Sequence, residues 1–155
     1  MSNYYFDVGT WDKYYREIPE LTVSHFNCVR PNNMPEYNPD ENLYGALGAA
    51  GLNAVIVLID RESGKIKGYA SCTQHFHPHY KDVPMAMIEA FYLDEDYGKA
   101  NRSAGRHLLE AAEHYIKEVK GIDLVQISSG VNKNIGKWLC RKGYEPLEMI
   151  YVKRI

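Results

Sequence analysis

The sequence predicts a mixed α/β fold, an α+β mixed sheet with helices on both faces. Three observations predict it. Three apolar runs of strand length, Asn53–Asp60, Ile66–Thr73 and Pro84–Leu93, follow one another, the first two joined by the turn Arg61-Glu-Ser-Gly-Lys65. A long amphipathic pattern comes next, with Leu108, Leu109, Ala112, Ile116 and Val119 at helical spacing. A further short run, Asp123–Ser128, comes after it. A crossover helix of that length makes its flanking strands parallel neighbours, so an antiparallel meander ends in a parallel pair. The 155 residues suit one domain, 1–155.

The elements follow in order. Tyr4 to Val8 reads as a short strand, and Thr10 can cap a helix through Ile18, where Pro19 interrupts. A second helical piece runs from Glu20 to Cys28. Arg30 to Pro39 holds three prolines and three asparagines and reads as loop. Asp40 can cap a helix through Ala50. The β-branched run Asn53–Asp60 belongs inside a sheet. A polar loop, Asp94 to Gly105, leads into a helix from about Ser103 to Lys120, closed by Gly121. Asn132 to Arg141 reads as a helix stopped by Gly143, and Tyr144 to Ile155 as a last strand or bent pair.

Composition excludes some functions. Charged residues are 25% of the chain and the net charge is −2, so nothing global points to nucleic acid or a membrane surface. No apolar run approaches the roughly 20 residues of a membrane helix. The start, Met-Ser-Asn-Tyr-Tyr-Phe-Asp, lacks the basic and apolar regions of a signal peptide. Cys28, Cys72 and Cys140 are odd in number and far apart, which fits a reducing cytoplasm.

The stretch Pro84–Lys120 carries the chemistry. Strand, small-residue loop and helix together can hold a phosphate, because the first helical amides lack intrahelical acceptors and the helix dipole adds positive charge. Ser103, Ala104 and Gly105 have no bulk to keep an anion away, and Arg102 and Arg106 add charge. Glu89 is the one carboxylate in the apolar run 84–93. Burial among Met87, Ile88, Ala90 and Phe91 would suit it to act as a base. His75, His77 and His79 alternate near Cys72, but Pro78 breaks the strand and no firm ligand spacing supports a metal. One of these histidines lining a groove is the simpler expectation, and Tyr4, Tyr5, Tyr14 and Tyr15 are candidates to wall the same groove.

This order of elements resembles the GNAT family of N-acetyltransferases over Asn53 to Ile155. The family's cofactor loop, Gln/Arg-x-x-Gly-x-Gly/Ala, precedes two residues and an aliphatic pair. Anchored on Leu108–Leu109 it becomes Ala100-Asn-Arg-Ser-Ala-Gly105, in which the last glycine matches. A second register, Arg102-Ser-Ala-Gly105-Arg-His107, keeps the arginine and a glycine but shortens the spacing. In both the motif is degenerate, and Lys99 or Arg102 takes the place of the leading residue. Asn132 and Gly143-Tyr144 sit where the family has Asn and Gly-Phe. Leu139 stands where the family often carries a tyrosine general acid. The segments His77–Tyr80 and Glu145–Arg154 also resemble bacteriophage members.

The resemblance implies acetyl transfer from acetyl-coenzyme A to an amine by direct attack. It implies Glu89 as general base. It places the cofactor on Phe91, Tyr92, Leu93, Lys99, Arg102, Ser103, Ala104, Gly105, Arg106, His107, Ser128 and Asn132. A backbone N–H of Tyr92 or Leu93 would serve the oxyanion, and the strands would splay at Phe91–Leu93 and Gln126–Ser128. The acceptor stays open among a polyamine or aminoglycoside, a protein lysine or N-terminus, and a modified nucleobase amine. A homodimer is compatible with it, as is the host cytoplasm for a phage-encoded chain. The competing expectation is a binding or virion-associated protein that keeps the fold without turnover.

Overall fold

The computed structural model describes residues 2–17, 19–29, 34–76, 81–130 and 134–148, without the side chain of residue 15. Ile18, the first residues of the Arg30 loop, His77 to Tyr80, Asn132 and the terminal strand from 149 onward lie outside the described residues.

Five strands form one sheet in chain order. They are β1 (Tyr4–Gly9), β2 (Asn53–Asp60), β3 (Ile66–Phe76), β4 (Pro84–Leu93) and β5 (Leu124–Ile127). The first four pair antiparallel, and β4 pairs with β5 in parallel, as the crossover predicts. Strand β2 is buried from Asn53 to Ile59 because helices cover both its faces, which explains its unbroken apolar run.

On one face lie α1 (Trp11–Glu17), α2 (Pro19–Val29) and α3 (Glu41–Ala49). Trp11, Tyr14, Val55, Val57, Tyr69 and Ala90 form the core there. Asp40 caps α3 by accepting from the Leu43 amide at 3.0 Å. On the other face lies α5 (Ala104–His114), whose Leu108, Leu109 and Ala112 pack on Ile56, Leu58, Ala70 and Ile88. Each such leucine contributes about 1.5–3 kcal/mol by leaving water. Among the described residues no helix is long and apolar enough to cross a membrane.

Five expectations need correction. The polar loop contains a short helix, α4 (Glu95–Ala100), capped by Asp94, which accepts from the Tyr97 amide at 2.8 Å. The long helix ends in a π turn, Tyr115–Val119. That wider turn rotates Val119 off the buried face and leaves it 63% exposed, while Ile116 stays in the core. Helix α6 (Gly136–Arg141) starts four residues later than Asn132, and 144–148 form no regular strand. Strand β3 runs on to Phe76.

Candidate active site at the β4 bulge

The two halves of β4 face opposite ways. Ala86 and Ile88 pack toward α5, yet so do Phe91 and Leu93, while Ala90 and Tyr92 pack toward α1 and α2. Strict alternation cannot do this, because side chains on one face are two apart. The register against β3 shows the cause. Cys72 pairs with Ile88 and Ser71 with Ala90, so Glu89 is the extra residue of a β-bulge.

Alternation from Ile88 sets Glu89 toward α1–α3, where odd-numbered residues of β2 and β3 point, and the bulge leaves Ala90 on that same face. Thr73 Oγ1 donates to Glu89 Oε1 at 2.6 Å and Ser71 Oγ at 3.0 Å, with Asn53 Nδ2 at 3.4 Å. Asn53 and Ser71 are buried. Glu89 itself is exposed, not buried among its apolar neighbours as expected, since those neighbours face into the layers on either side. Its charge still reaches inward. Burial, aided by that charge, pushes the Tyr44 hydroxyl up to about 12 and the Cys72 thiol up to about 12. Asn53, Ser71 and Thr73 escaped the sequence reading. Three polar residues at alternate positions of otherwise apolar strands were the available signal.

Beyond the bulge, β4 parts from β5. Their pairing stops at Ile88 and Ile127, with one further bond from the Ser128 amide to the Ile88 carbonyl at 3.3 Å. Gln126 is therefore still paired with Met87, and the gap opens after it. The Asp94 amide donates to the Lys67 carbonyl across β3, at 2.8 Å. That bond marks Gly68–Leu93 as a pair whose own amides point away from each other. By alternation the N–H groups of Leu93 and Phe91 turn toward the gap, and that of Tyr92 turns toward β3. Tyr92 is thus not the free donor, and its ring stacks on His25 of α2 at 4.9 Å. The Phe91 ring faces Trp138 of α6 at 6.1 Å.

The N-terminus of α5 closes the other end of the gap. Ser103 is its N-cap and makes no side-chain cap bond, while Ala104 is fully buried. Gly105 lies behind Leu93, and a Cβ built on it would sit 3.7 Å from a Leu93 methyl. Arg102 and Arg106 are exposed, and Lys99 on α4 is paired with Asp96 at 3.1 Å. Arg106 Nη2 lies 3.1 Å from His107 Nε2. A guanidinium only donates, so Nε2 accepts and Nδ1 carries the proton in neutral His107. Nδ1 then donates to Tyr4 Oη at 2.7 Å, and Ser103 Oγ lies 3.3 Å from that same oxygen.

Of the N-terminal tyrosines expected to wall the groove, Tyr4, Tyr5 and Tyr14 do not gather around Glu89, and the side chain of Tyr15 lies outside the described residues. Tyr4 is buried at α5, Tyr14 donates to Asp7 at 3.0 Å, and Tyr5 lies under Arg61. Leu139 is buried on the α5 face and Cys140 is exposed beside it. Tyr144 donates to Glu113 at 2.8 Å, and burial with that carboxylate drives its pKa well up.

A family model described as "Acetyltransferase (GNAT) family" matches residues 17–139. The chain belongs to this GNAT family. Membership makes it an acyl-coenzyme A dependent N-acetyltransferase, of a family whose general donor is acetyl-coenzyme A. No curated protein matches the chain by sequence. Solved structures share the GNAT fold across their whole length. An aminoglycoside acetyltransferase from an uncultured soil metagenomic sample, in complex with sisomicin, is 15% identical with a TM-score of 0.72, covering 99% of this chain and 97% of that one. A ribosomal-protein-alanine N-acetyltransferase from Brucella melitensis biovar Abortus is 12% identical with a TM-score of 0.69, covering 98% and 99%. A GNAT family acetyltransferase from Staphylococcus aureus is 16% identical with a TM-score of 0.63, covering 99% and 100%.

Proposed function

We propose that this single domain transfers an acetyl group from acetyl-coenzyme A to a primary amine by direct attack, with Glu89 as general base. The observation that carries this is the bulge: it sets an exposed carboxylate beside the point where β4 and β5 part. The pantetheine arm fits that gap along Phe91, Leu93 and Ser128, with Asn132 assigned there from the sequence. The pyrophosphate fits the first amides of α5, with Ser103, Gly105, Arg106 and His107, and with Arg102 and Lys99 as outlying charges. Tyr92 and Ala104 serve these assignments through the backbone they hold rather than through side chains.

The alkylammonium gives one proton to Glu89, and its nitrogen attacks the thioester carbon. The Leu93 or Phe91 amide supports the oxyanion, which is the kind of donor that acts only as charge develops. Collapse breaks the C–S bond. The thiolate leaves and takes the second nitrogen proton by way of solvent, and the amide product remains. A thiol pKa near 8.5 makes that thiolate a tolerable leaving group without a tyrosine at 139.

The test is thiol release from acetyl-coenzyme A with three acceptors: sisomicin, a peptide beginning with alanine, and propylamine. Glu89→Gln is expected to lower kcat by 10²–10⁴-fold, the usual worth of a general base, with acetyl-coenzyme A affinity unchanged. A variant within about threefold of wild type removes Glu89 from the role. The buried Leu139 and the engaged Tyr144 favour one second reading, a GNAT domain that binds without turnover. Binding of acetyl-coenzyme A by calorimetry with no thiol release would select it, and no binding at high micromolar ligand would exclude both.

A further inference from the structure

We infer that Thr73 and Ser71 are positioning residues for the reaction, fixing Glu89 by one oxygen so that the other meets the amine. This rests on Glu89 being the base. Both hydroxyls, and the Asn53 amide, converge on the same atom, Oε1, at 2.6, 3.0 and 3.4 Å. A carboxylate oxygen has about two lone-pair directions, so three donors saturate Oε1. Oε2 receives none of the three. It is left as the basic oxygen, and the carboxylate plane is set by the clamp rather than by solvent.

The clamp is built into the sheet. Ser71 and Thr73 stand two apart on β3, flanking the register step at which Glu89 bulges. Asn53 faces Thr73 across the β2–β3 ladder and also donates to Thr73 Oγ1 at 3.3 Å and to the Cys72 carbonyl at 3.3 Å. These second bonds hold the donors themselves. An exposed glutamate ordinarily samples several rotamers, and a base must be held within a fraction of an ångström of its working position. Here that restraint comes from side chains that never meet the substrate.

The experiment uses Thr73→Val, Thr73→Ser and Ser71→Ala, each alone and combined with Glu89→Gln, in the full chain. The probe is propylamine with saturating acetyl-coenzyme A, read as thiol release, with melting temperature and acetyl-coenzyme A affinity measured in parallel. Thr73→Val should lower kcat about tenfold, since a 1 Å misplacement costs up to about 10²-fold. Thr73→Ser should restore it, and cofactor affinity should not move in either. In the Glu89→Gln background Thr73→Val should have no further effect. A Thr73→Val enzyme as active as wild type, beside a crippled Glu89→Gln, overturns the positioning role alone. A loss that persists undiminished in the Glu89→Gln background overturns it too, because Thr73 would then act elsewhere. If Glu89→Gln is fully active, or wild type releases no thiol above the buffer blank, the reading of Glu89 as base falls and takes this one with it. Should Thr73→Val fail to fold, Ser71→Ala and Thr73→Ser carry the same comparison: Ser71→Ala should lose activity through Glu89, and full activity would overturn the role.

Discussion

Gly68 offers a test of the gap that touches neither Glu89 nor the phosphate loop. A methyl group placed there would lie 2.9 Å from the Tyr92 carbonyl oxygen and 2.9 Å from a Leu93 methyl. Ordinary contact begins near 3.4 Å. The Leu93 methyl can turn away, but the carbonyl belongs to the backbone, so β4 must retreat by about 0.5 Å to reach ordinary packing density. Overpacking of this kind costs about 1–3 kcal/mol. The retreat moves the Leu93 amide, which faces the gap. If that amide supports the oxyanion, half an ångström should cost about tenfold in kcat, given up to about 10²-fold for 1 Å. Gly68→Ala would be assayed by denaturant melting, by calorimetry with acetyl-coenzyme A and by thiol release. The expected result is a moderate loss of stability, nearly unchanged cofactor affinity and a tenfold lower kcat. A destabilised variant with wild-type kcat would refute the assignment of the oxyanion donor, and unchanged stability would refute the steric reasoning itself.

Gly105→Glu should abolish coenzyme A binding in a folded protein, because the added Cβ meets only ordinary contact and the added charge opposes the pyrophosphate. Unchanged affinity by calorimetry would show that α5 does not hold the cofactor. Arg102→Ala should cost about 1–3 kcal/mol of affinity, the worth of one charge-assisted hydrogen bond. Cys140→Ser should keep most activity, and a hundredfold loss would make Cys140 a participant. The Cys72 thiol, raised to about 12, stays protonated at pH 8, whereas Cys140 is exposed. Mass spectrometry after alkylation of the native protein at pH 8 should find Cys140 modified and Cys72 intact.

Much of the fold was legible because burial writes itself into periodicity. The bounds of β2 and β4 follow from apolar runs between turn signals, and α3 from its Asp40 cap. What was missed followed from cancelled or absent signals. Helix α4 carries a cap and two acids in its first turn, but Gly98 and Asn101 read as loop. The π turn leaves no mark in spacing until Val119 falls on the wrong side. At the site, Glu89 was visible as the lone carboxylate of an apolar strand. Its exposure was not, since a bulge depends on how β3 pairs with β4 and has no local code. The same holds for Asn53 and Ser71, whose purpose appears only when three strands are set side by side.

The bulge also bears on how the chain finds its register. A regular strand that slips by one residue turns its whole apolar set outward, and the penalty is uniform along it. In β4 the inward code changes phase at Glu89, so no single slip satisfies both halves. Each half selects its own pairing, the first with β3 and β5 and the second with β3 alone. Deleting residue 89, rather than replacing it, would bring the strand back into phase. Strict alternation from Ile88 would then still send Ala90 and Tyr92 toward α1 and α2, and Phe91 and Leu93 toward α5. A chain lacking that one residue is therefore expected to keep its fold beyond Ile88 and to lose the carboxylate together with the bulge, just as a substitution at the same place leaves the frame intact. Tolerance to both exchange and deletion at one place inside a paired strand is a signature that a scan of single-residue deletions would detect without any knowledge of the acceptor.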